Sequence, residues 1–126
     1  MLLTMLSTCL TWQCAANVVA DYHGFDRKLL YAVIKTESGG NVAVKVSRTH
    51  DYGIAQINKV NISDYKQLVD YKFNIMRAGE LLAAIKQKGF RVCRYNLGLG
   101  IMTAGRELSC SIYQKKLQKF GYVARY

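Results

Sequence analysis

Residues 26–41 read DRKLLYAVIKTESGGN, and this stretch decides the fold. Its apolar residues recur at the three- and four-residue spacing that places side chains on one face of a helix: Leu29, Leu30, Val33 and Ile34. Asp26 stands where an N-cap side chain accepts a hydrogen bond from the first turn. The turn-forming letters SGGN then end the helix. The stretch therefore predicts an amphipathic helix from Asp26 to Thr36, with Glu37 in its last turn.

The rest of the chain is predicted to be mainly helical, with one short β excursion. Apolar residues follow helical spacing in two further stretches: Ile75, Ala78, Leu81, Leu82 and Ile85 in the first, and Ile112, Tyr113 and Leu117 in the second. We predict helices over residues 74–88, 92–97 and about 109–120. A hairpin-like excursion at about residues 42–58 is indicated by alternating valines: Val42, Val44 and Val46. The fold class is therefore mainly α, a compact α+β domain.

The first twenty residues, MLLTMLSTCLTWQCAANVVA, carry no charge. An apolar run followed by small residues is typical of a secretory signal. Polar residues interrupt this run, which disfavours a membrane span of the required ~20 apolar residues. We therefore predict an apolar leader at residues 1–13, a single domain at residues 14–126, and an exported or periplasmic protein.

The chain is strongly basic. Eighteen Lys and Arg against eight Asp and Glu give a formal net charge of +10. Such a surface attracts polyanions, whether nucleic acid, a membrane surface or an acidic cell-wall polymer, and charge alone does not choose among them. Since the sequence contains no recognisable nucleic-acid module, we do not expect nucleic acid as a partner.

The four cysteines are widely spaced: Cys9, Cys14, Cys93 and Cys110. This spacing is unlike that of a zinc site, and neither His23 nor His50 stands in a ligand pattern. We therefore predict no metal and no other cofactor. In an exported protein the even number suggests disulfides, with three possible pairings, and buried free thiols are the alternative.

Glu37 is the candidate proton donor. Acid catalysis near neutral pH needs a carboxyl group whose pKa is raised by burial or by negative potential. Glu37 lies seven residues after Leu30 and four after Val33, which turns it towards the buried face, and a helix C-terminus carries partial negative charge. An exposed terminal Glu is the alternative. Asp51 is either a second carboxylate for hydrolysis or a turn-forming residue.

Three motifs occur in a recognisable order: YAVIKTESGGN at residues 31–41, DYGIAQIN at 51–58 and YNLG at 95–98. Together they resemble the lytic transglycosylase domain, which has a lysozyme-like fold. The resemblance is closest to the small stand-alone versions that accompany conjugation, pilus and secretion machines. It covers residues 14–98.

The resemblance implies a role for each matching residue. Glu37 takes the position of the catalytic acid, and Ser47 that of a serine near this carboxylate and the substrate's N-acetyl group. Gln56 corresponds to a glutamine that lines the sugar cleft. Tyr95 and Asn96 correspond to a pair whose tyrosine hydroxyl lies near the catalytic acid and whose asparagine helps to hold the acid's helix and the substrate.

The implied activity is cleavage of the β-1,4 bond between N-acetylmuramic acid and N-acetylglucosamine in peptidoglycan, with a 1,6-anhydromuramyl product. The implied partners are glycan strands and components of a secretion, conjugation or pilus machine. The protein is expected to be a monomer that opens the cell wall locally for such a machine. A hydrolytic muramidase is the nearest alternative, and a non-catalytic basic scaffold or nucleic-acid-binding protein is another.

The chain departs from the family pattern at three places. Arg94 precedes the YN pair where a small residue is common, and Leu97 follows it. Cys14 fits the place of a cysteine near the mature N-terminus, but the partner expected before the helix at residue 74 is missing. We expect Cys93 or Cys110 to take that partner's place.

Overall fold

The computed structural model describes residues 1–44, 46–58 and 65–123. Its helices are α1 (Leu2–Ser7), α2 (Trp12–His23), α3 (Arg27–Ser38), α4 (Tyr71–Gln87), α5 (Arg94–Leu97) and α6 (Ala104–Lys119). Two short antiparallel strands, β1 (Asp51–Tyr52) and β2 (Ile57–Asn58), precede a 3₁₀ helix at Tyr65–Val69. This architecture confirms the predicted α+β lysozyme-like fold. None of the described helices has both the length and the apolar character needed to cross a membrane.

Helix α3 forms where the sequence predicted it. The Asp26 carboxylate accepts a hydrogen bond from the Lys28 N–H at the N-terminus. At the other end Gly39 adopts a φ of +70°, a left-handed conformation that costs glycine little, and its N–H donates to the Lys35 carbonyl. The face between these caps is buried: Leu29, Leu30, Ala32, Val33 and Ile34. Burial of each large apolar side chain contributes roughly 1.5–3 kcal/mol, so this face anchors the core.

Helix α2 packs against both α3 and α4, and α6 covers another side of α3. The buried residues of α2 are mostly small: Ala15, Ala16, Val19 and Ala20. The contact with α4 is close, because a Cβ added at Gly79 would lie 2.4 Å from Cγ1 of Val19. Leu6 and Cys9, within the predicted leader, are buried in the same core. An apolar run rich in small residues thus forms tightly packed helices here.

Two helices begin earlier than predicted. Helix α4 starts at Tyr71, because the Asp70 carboxylate accepts hydrogen bonds from two N–H groups of the first turn. Helix α6 starts at Ala104, with the Thr103 hydroxyl as its cap. The prediction that Ile112 lies on the buried stripe of α6 is wrong, since its side chain is 47% exposed. Neighbouring helix residues point about 100° apart, and Tyr113 takes the inward direction.

The cysteines form two disulfides, Cys9–Cys14 and Cys93–Cys110, with Cα–Cα distances of 5.5 and 5.1 Å. The expectation that Cys93 or Cys110 replaces the missing partner of Cys14 is therefore wrong. Cys9 and Cys14 face each other across the turn between α1 and α2, and the other pair joins the start of α5 to α6. None of the four thiols is free.

The hairpin is attached to α4 by one buried side chain. The Asn74 amide accepts a hydrogen bond from the Ala55 N–H (2.9 Å) and donates to the carbonyls of Tyr52 and Leu68 (both 2.7 Å). Gly53 packs directly on this amide, since an added Cβ would lie 2.2 Å from its nitrogen. This contact orients the hairpin beside the end of α3.

The predicted valine alternation contributes little to the hairpin. Val46 forms an isolated bridge with Tyr52, whereas Val42 and Val44 lie outside the strands. Lys45, which falls inside the predicted excursion, lies outside the described residues. The paired residues are instead Asp51 with Asn58 and Tyr52 with Ile57.

Candidate active site

A cleft of about 440 Å³ opens where the end of α3, the hairpin and α5 meet. Charged, amide and apolar residues line it: Glu37, Asp51, Gln56, Ile57, Asn58, Leu81, Tyr95, Asn96, Leu97, Gly98 and Leu99. Four of the five residues assigned to the site from the sequence, Glu37, Gln56, Tyr95 and Asn96, thus line one cleft. Ser47 is not among the lining residues.

Glu37 lies at this cleft with most of its side chain buried. Burial is the main reason that its pKa rises from the ordinary 4.5 to about 7, and the negative charge of Asp51 raises this pKa further. A hydrogen bond from Tyr113 and the positive charge of Lys116 act in the opposite direction. A carboxyl group with this pKa can both donate and accept a proton near neutral pH.

Tyr113 is the functional residue that the sequence reasoning assigned only to the core. Its hydroxyl donates a hydrogen bond of 2.9 Å to Oε2 of Glu37. Burial and the charge of Glu37 hold the pKa of Tyr113 well above its usual value, so the hydroxyl keeps its proton and remains a donor. One signal was present in the sequence, because a tyrosine on a buried stripe needs a partner for its hydroxyl.

The Tyr95 hydroxyl donates to the Ala55 carbonyl at 2.7 Å, and so joins α5 to the hairpin. Burial, and after it the negative charge of Glu37, raises the pKa of Tyr95. Tyr95 is therefore close enough to Glu37 for the two groups to interact electrostatically. Gln56 turns back on the hairpin, and its Nε2 donates to the Gly53 carbonyl at 2.9 Å. Gln56 also adopts a φ of +51°, a strained conformation for a residue other than glycine.

Ser47 contacts Asp51. Its hydroxyl donates to the Asp51 carboxylate (3.3 Å) and accepts from the Asp51 N–H (3.1 Å). Thr49 and Asn58 also donate side-chain hydrogen bonds to this carboxylate. Three side chains therefore orient Asp51, whose negative charge faces the cleft.

The cleft holds acid and amide groups suited to a sugar. Within the described ranges, no group of three His, Cys, Asp or Glu side chains is arranged to hold a metal ion. The arrangement offers one carboxyl group tuned for proton transfer, a second carboxylate, and amides that can bind hydroxyl or acetamido groups.

No match was found among curated proteins or among solved structures. The family described as "Transglycosylase SLT domain" matches residues 15–103, which is more than half of the chain. The matched region includes Glu37 and every other residue that lines the cleft, but ends before Tyr113. The chain therefore belongs to the transglycosylase SLT domain family, whose lysozyme-like domains act on peptidoglycan.

Proposed function

We propose that this protein is a lytic transglycosylase that cleaves the β-1,4 bond between N-acetylmuramic acid and N-acetylglucosamine. The observation that carries the proposal is Glu37, a buried carboxyl group with a pKa of about 7 at a polar cleft. An ordinary glutamate would be almost fully ionised at neutral pH and would have no proton to give. Burial, helped by the negative charge of Asp51, keeps a large fraction of Glu37 protonated.

The reaction needs a single protein carboxyl group. Glu37 gives its proton to the glycosidic oxygen as the bond to the anomeric carbon breaks, and the substrate's N-acetyl oxygen stabilises the positive charge. The carboxylate then takes the proton from the muramyl 6-hydroxyl while that oxygen attacks the anomeric carbon, closing the 1,6-anhydro ring. The attacking group belongs to the same sugar, so proximity replaces a protein nucleophile.

Tyr113 assists the first half of this cycle. Its hydroxyl donates to the carboxylate that forms after the first proton transfer, so the ionised state is not left buried without a partner. Gln56 and Asn96 line the cleft and would bind the sugars, and Tyr95 holds α5 against the hairpin. Ser47 acts through Asp51, which it orients.

Hydrolysis by a muramidase is the second candidate, and Asp51 is the observation that favours it. This carboxylate lies at the same cleft as Glu37 and is oriented by three side chains, as a base that activates water would be. The products separate the two reactions, because hydrolysis leaves reducing muramyl ends whereas the transglycosylase leaves anhydro ends that are lighter by one water.

The test is a zymogram on purified sacculi with wild type, Glu37→Gln and Glu80→Gln, followed by mass spectrometry of the soluble products. Glu80 is a matched control because it is exposed and lies outside the cleft. We expect clearing by wild type and Glu80→Gln, anhydromuramyl ends, and almost no clearing by Glu37→Gln. Undiminished clearing by Glu37→Gln would overturn the proposal, and inactive wild type would favour the scaffold alternative.

The proposal extends to the compartment in which the protein acts and to the machinery that it serves. We place the domain at residues 14–126 outside the cytoplasm as a monomer, where it would open the wall for a secretion, conjugation or pilus machine. Disulfides persist in oxidising compartments, which fits export. The Cys9–Cys14 bond crosses the proposed leader boundary. The intact mass of the periplasmic protein tests this boundary, since removal of residues 1–13 would leave Cys14 without Cys9.

A further inference from the structure

A small, mostly apolar pocket adjoins the cleft. This side pocket has a volume of about 110 Å³ and lies between α4, α5 and the segment after α5. The side pocket and the cleft share four lining residues, so a substrate in the cleft would lie next to the side pocket: Leu81, Tyr95, Gly98 and Leu99. No step of the proposed reaction uses this space.

Two cations border the side pocket. Lys88 stands at the C-terminal cap of α4, and Arg94 is the first residue of α5. Neither forms an ion pair with a carboxylate in the described part of the chain. The pocket therefore combines an apolar floor with positive charge that the described carboxylates do not neutralise.

Arg94 is held in place before any ligand arrives. Its Nη1 donates to the carbonyls of Gly98 (3.3 Å) and Gly100 (2.5 Å), and its guanidinium stacks on the Phe90 ring at 4.6 Å from the centroid. These contacts use Nη1 and one face of the guanidinium. Among the described residues Nε and Nη2 have no hydrogen-bond partner, so both keep donors that fit a carboxylate.

We propose that the side pocket binds the peptide stem of the glycan strand, with Arg94 and Lys88 holding a stem carboxylate and the apolar floor packing a small alkyl side chain. The inference rests on the proposed function, since it assumes a peptidoglycan strand in the cleft. Stem peptides carry free carboxylates and methyl side chains, which is the chemistry that the pocket complements.

The test measures binding, so that it does not depend on turnover. All proteins carry Glu37→Gln to leave the strands intact, and the probes are soluble glycan strands with their stems and the same strands stripped by an amidase. Lys88→Gln and Arg94→Gln are compared with Lys115→Gln, which removes the same charge from an exposed residue outside the cleft and the side pocket.

We expect stem-bearing strands to bind more tightly than stripped strands. Lys88→Gln should raise the Kd for stem-bearing strands about threefold, as for an exposed ion pair. Arg94→Gln should raise it about tenfold, as for a hydrogen bond to a charged group. The Lys88→Gln and Arg94→Gln variants should bind stripped strands as tightly as the parent protein does. Lys115→Gln should not affect the Kd for one kind of strand more than the Kd for the other.

Two results would overturn the inference. One is equal affinity of the parent protein for both kinds of strand, and the other is a Lys88→Gln variant that behaves like Lys115→Gln. Lys88 is exposed at a helix end, so its variant decides the matter even if Arg94→Gln disturbs the fold. Failure of the proposed function appears separately, as wild type that does not clear sacculi.

Discussion

The buried carboxyl group of Glu37 should make the stability of the protein fall as pH rises. Its pKa in the folded protein is about 7 instead of 4.5, so the folded state holds this proton more tightly than the unfolded state does. The associated stability is fully present below the unfolded pKa and is lost as pH rises through the folded pKa. The free energy of unfolding lost in this way is about 3 kcal/mol, because each tenfold change in proton affinity corresponds to about 1.4 kcal/mol.

Glu37→Gln removes this dependence, because the amide has nearly the same shape as the protonated acid and does not titrate. The variant should match wild type below pH 4.5 and exceed it above pH 7. The expected excess in the free energy of unfolding is about 3 kcal/mol, which is a large part of the stability of a small domain. The Glu37→Gln variant would thus be more stable than wild type at neutral and alkaline pH.

Urea unfolding of both proteins, at one pH below 4.5 and one above 7, measures the difference directly. Glu80→Gln is the control, since it makes the same substitution at an exposed glutamate outside the cleft. If the gap between Glu37→Gln and wild type is the same at both pH values, the carboxyl group is not held protonated by its surroundings, and the account of the acid is refuted.

Two further outcomes concern Tyr113 and the Cys93–Cys110 disulfide. Tyr113→Phe removes the donor that favours the ionised form of Glu37, so the pKa of Glu37 should rise further. The alkaline fall in kcat/KM should then move upward by about one pH unit. A pH–rate profile that does not move would contradict this role of Tyr113. Replacing Cys93 and Cys110 together by Ala should lower the free energy of unfolding by about 3 kcal/mol, as expected for a bridge that closes a loop of this length, and urea unfolding without reductant measures it.

Local sequence patterns were enough to predict α3, the helix that carries Glu37. The apolar spacing, the cap at Asp26 and the turn after Ser38 predicted α3, and the interval from Leu30 predicted that Glu37 turns inward. The other cleft residues, such as Gln56 and Tyr95, came from the family resemblance, because no local pattern distinguishes them from surface or core residues. The structure brings them to one cleft through the hairpin and α5.

What could not be predicted depends on contacts between distant parts of the chain. The bond between Tyr113 and Glu37 joins residues 76 positions apart, and helical periodicity describes only one helix at a time. The pairing of Cys14 with Cys9 depends on the turn between α1 and α2, which an apolar run does not reveal. Ser47 lies beside Asp51 because of the hairpin geometry, not because of its distance along the sequence.

The residue that completes the acid's environment belongs to a part of the chain outside the family match, which ends at residue 103. A fragment trimmed to that boundary would retain the whole lining of the cleft while opening one side of Glu37 to bulk water. The pKa of the carboxyl group would then fall towards that of an ordinary glutamate. Transplanting the proposed activity into another scaffold therefore requires α6 as well as the recognisable motifs.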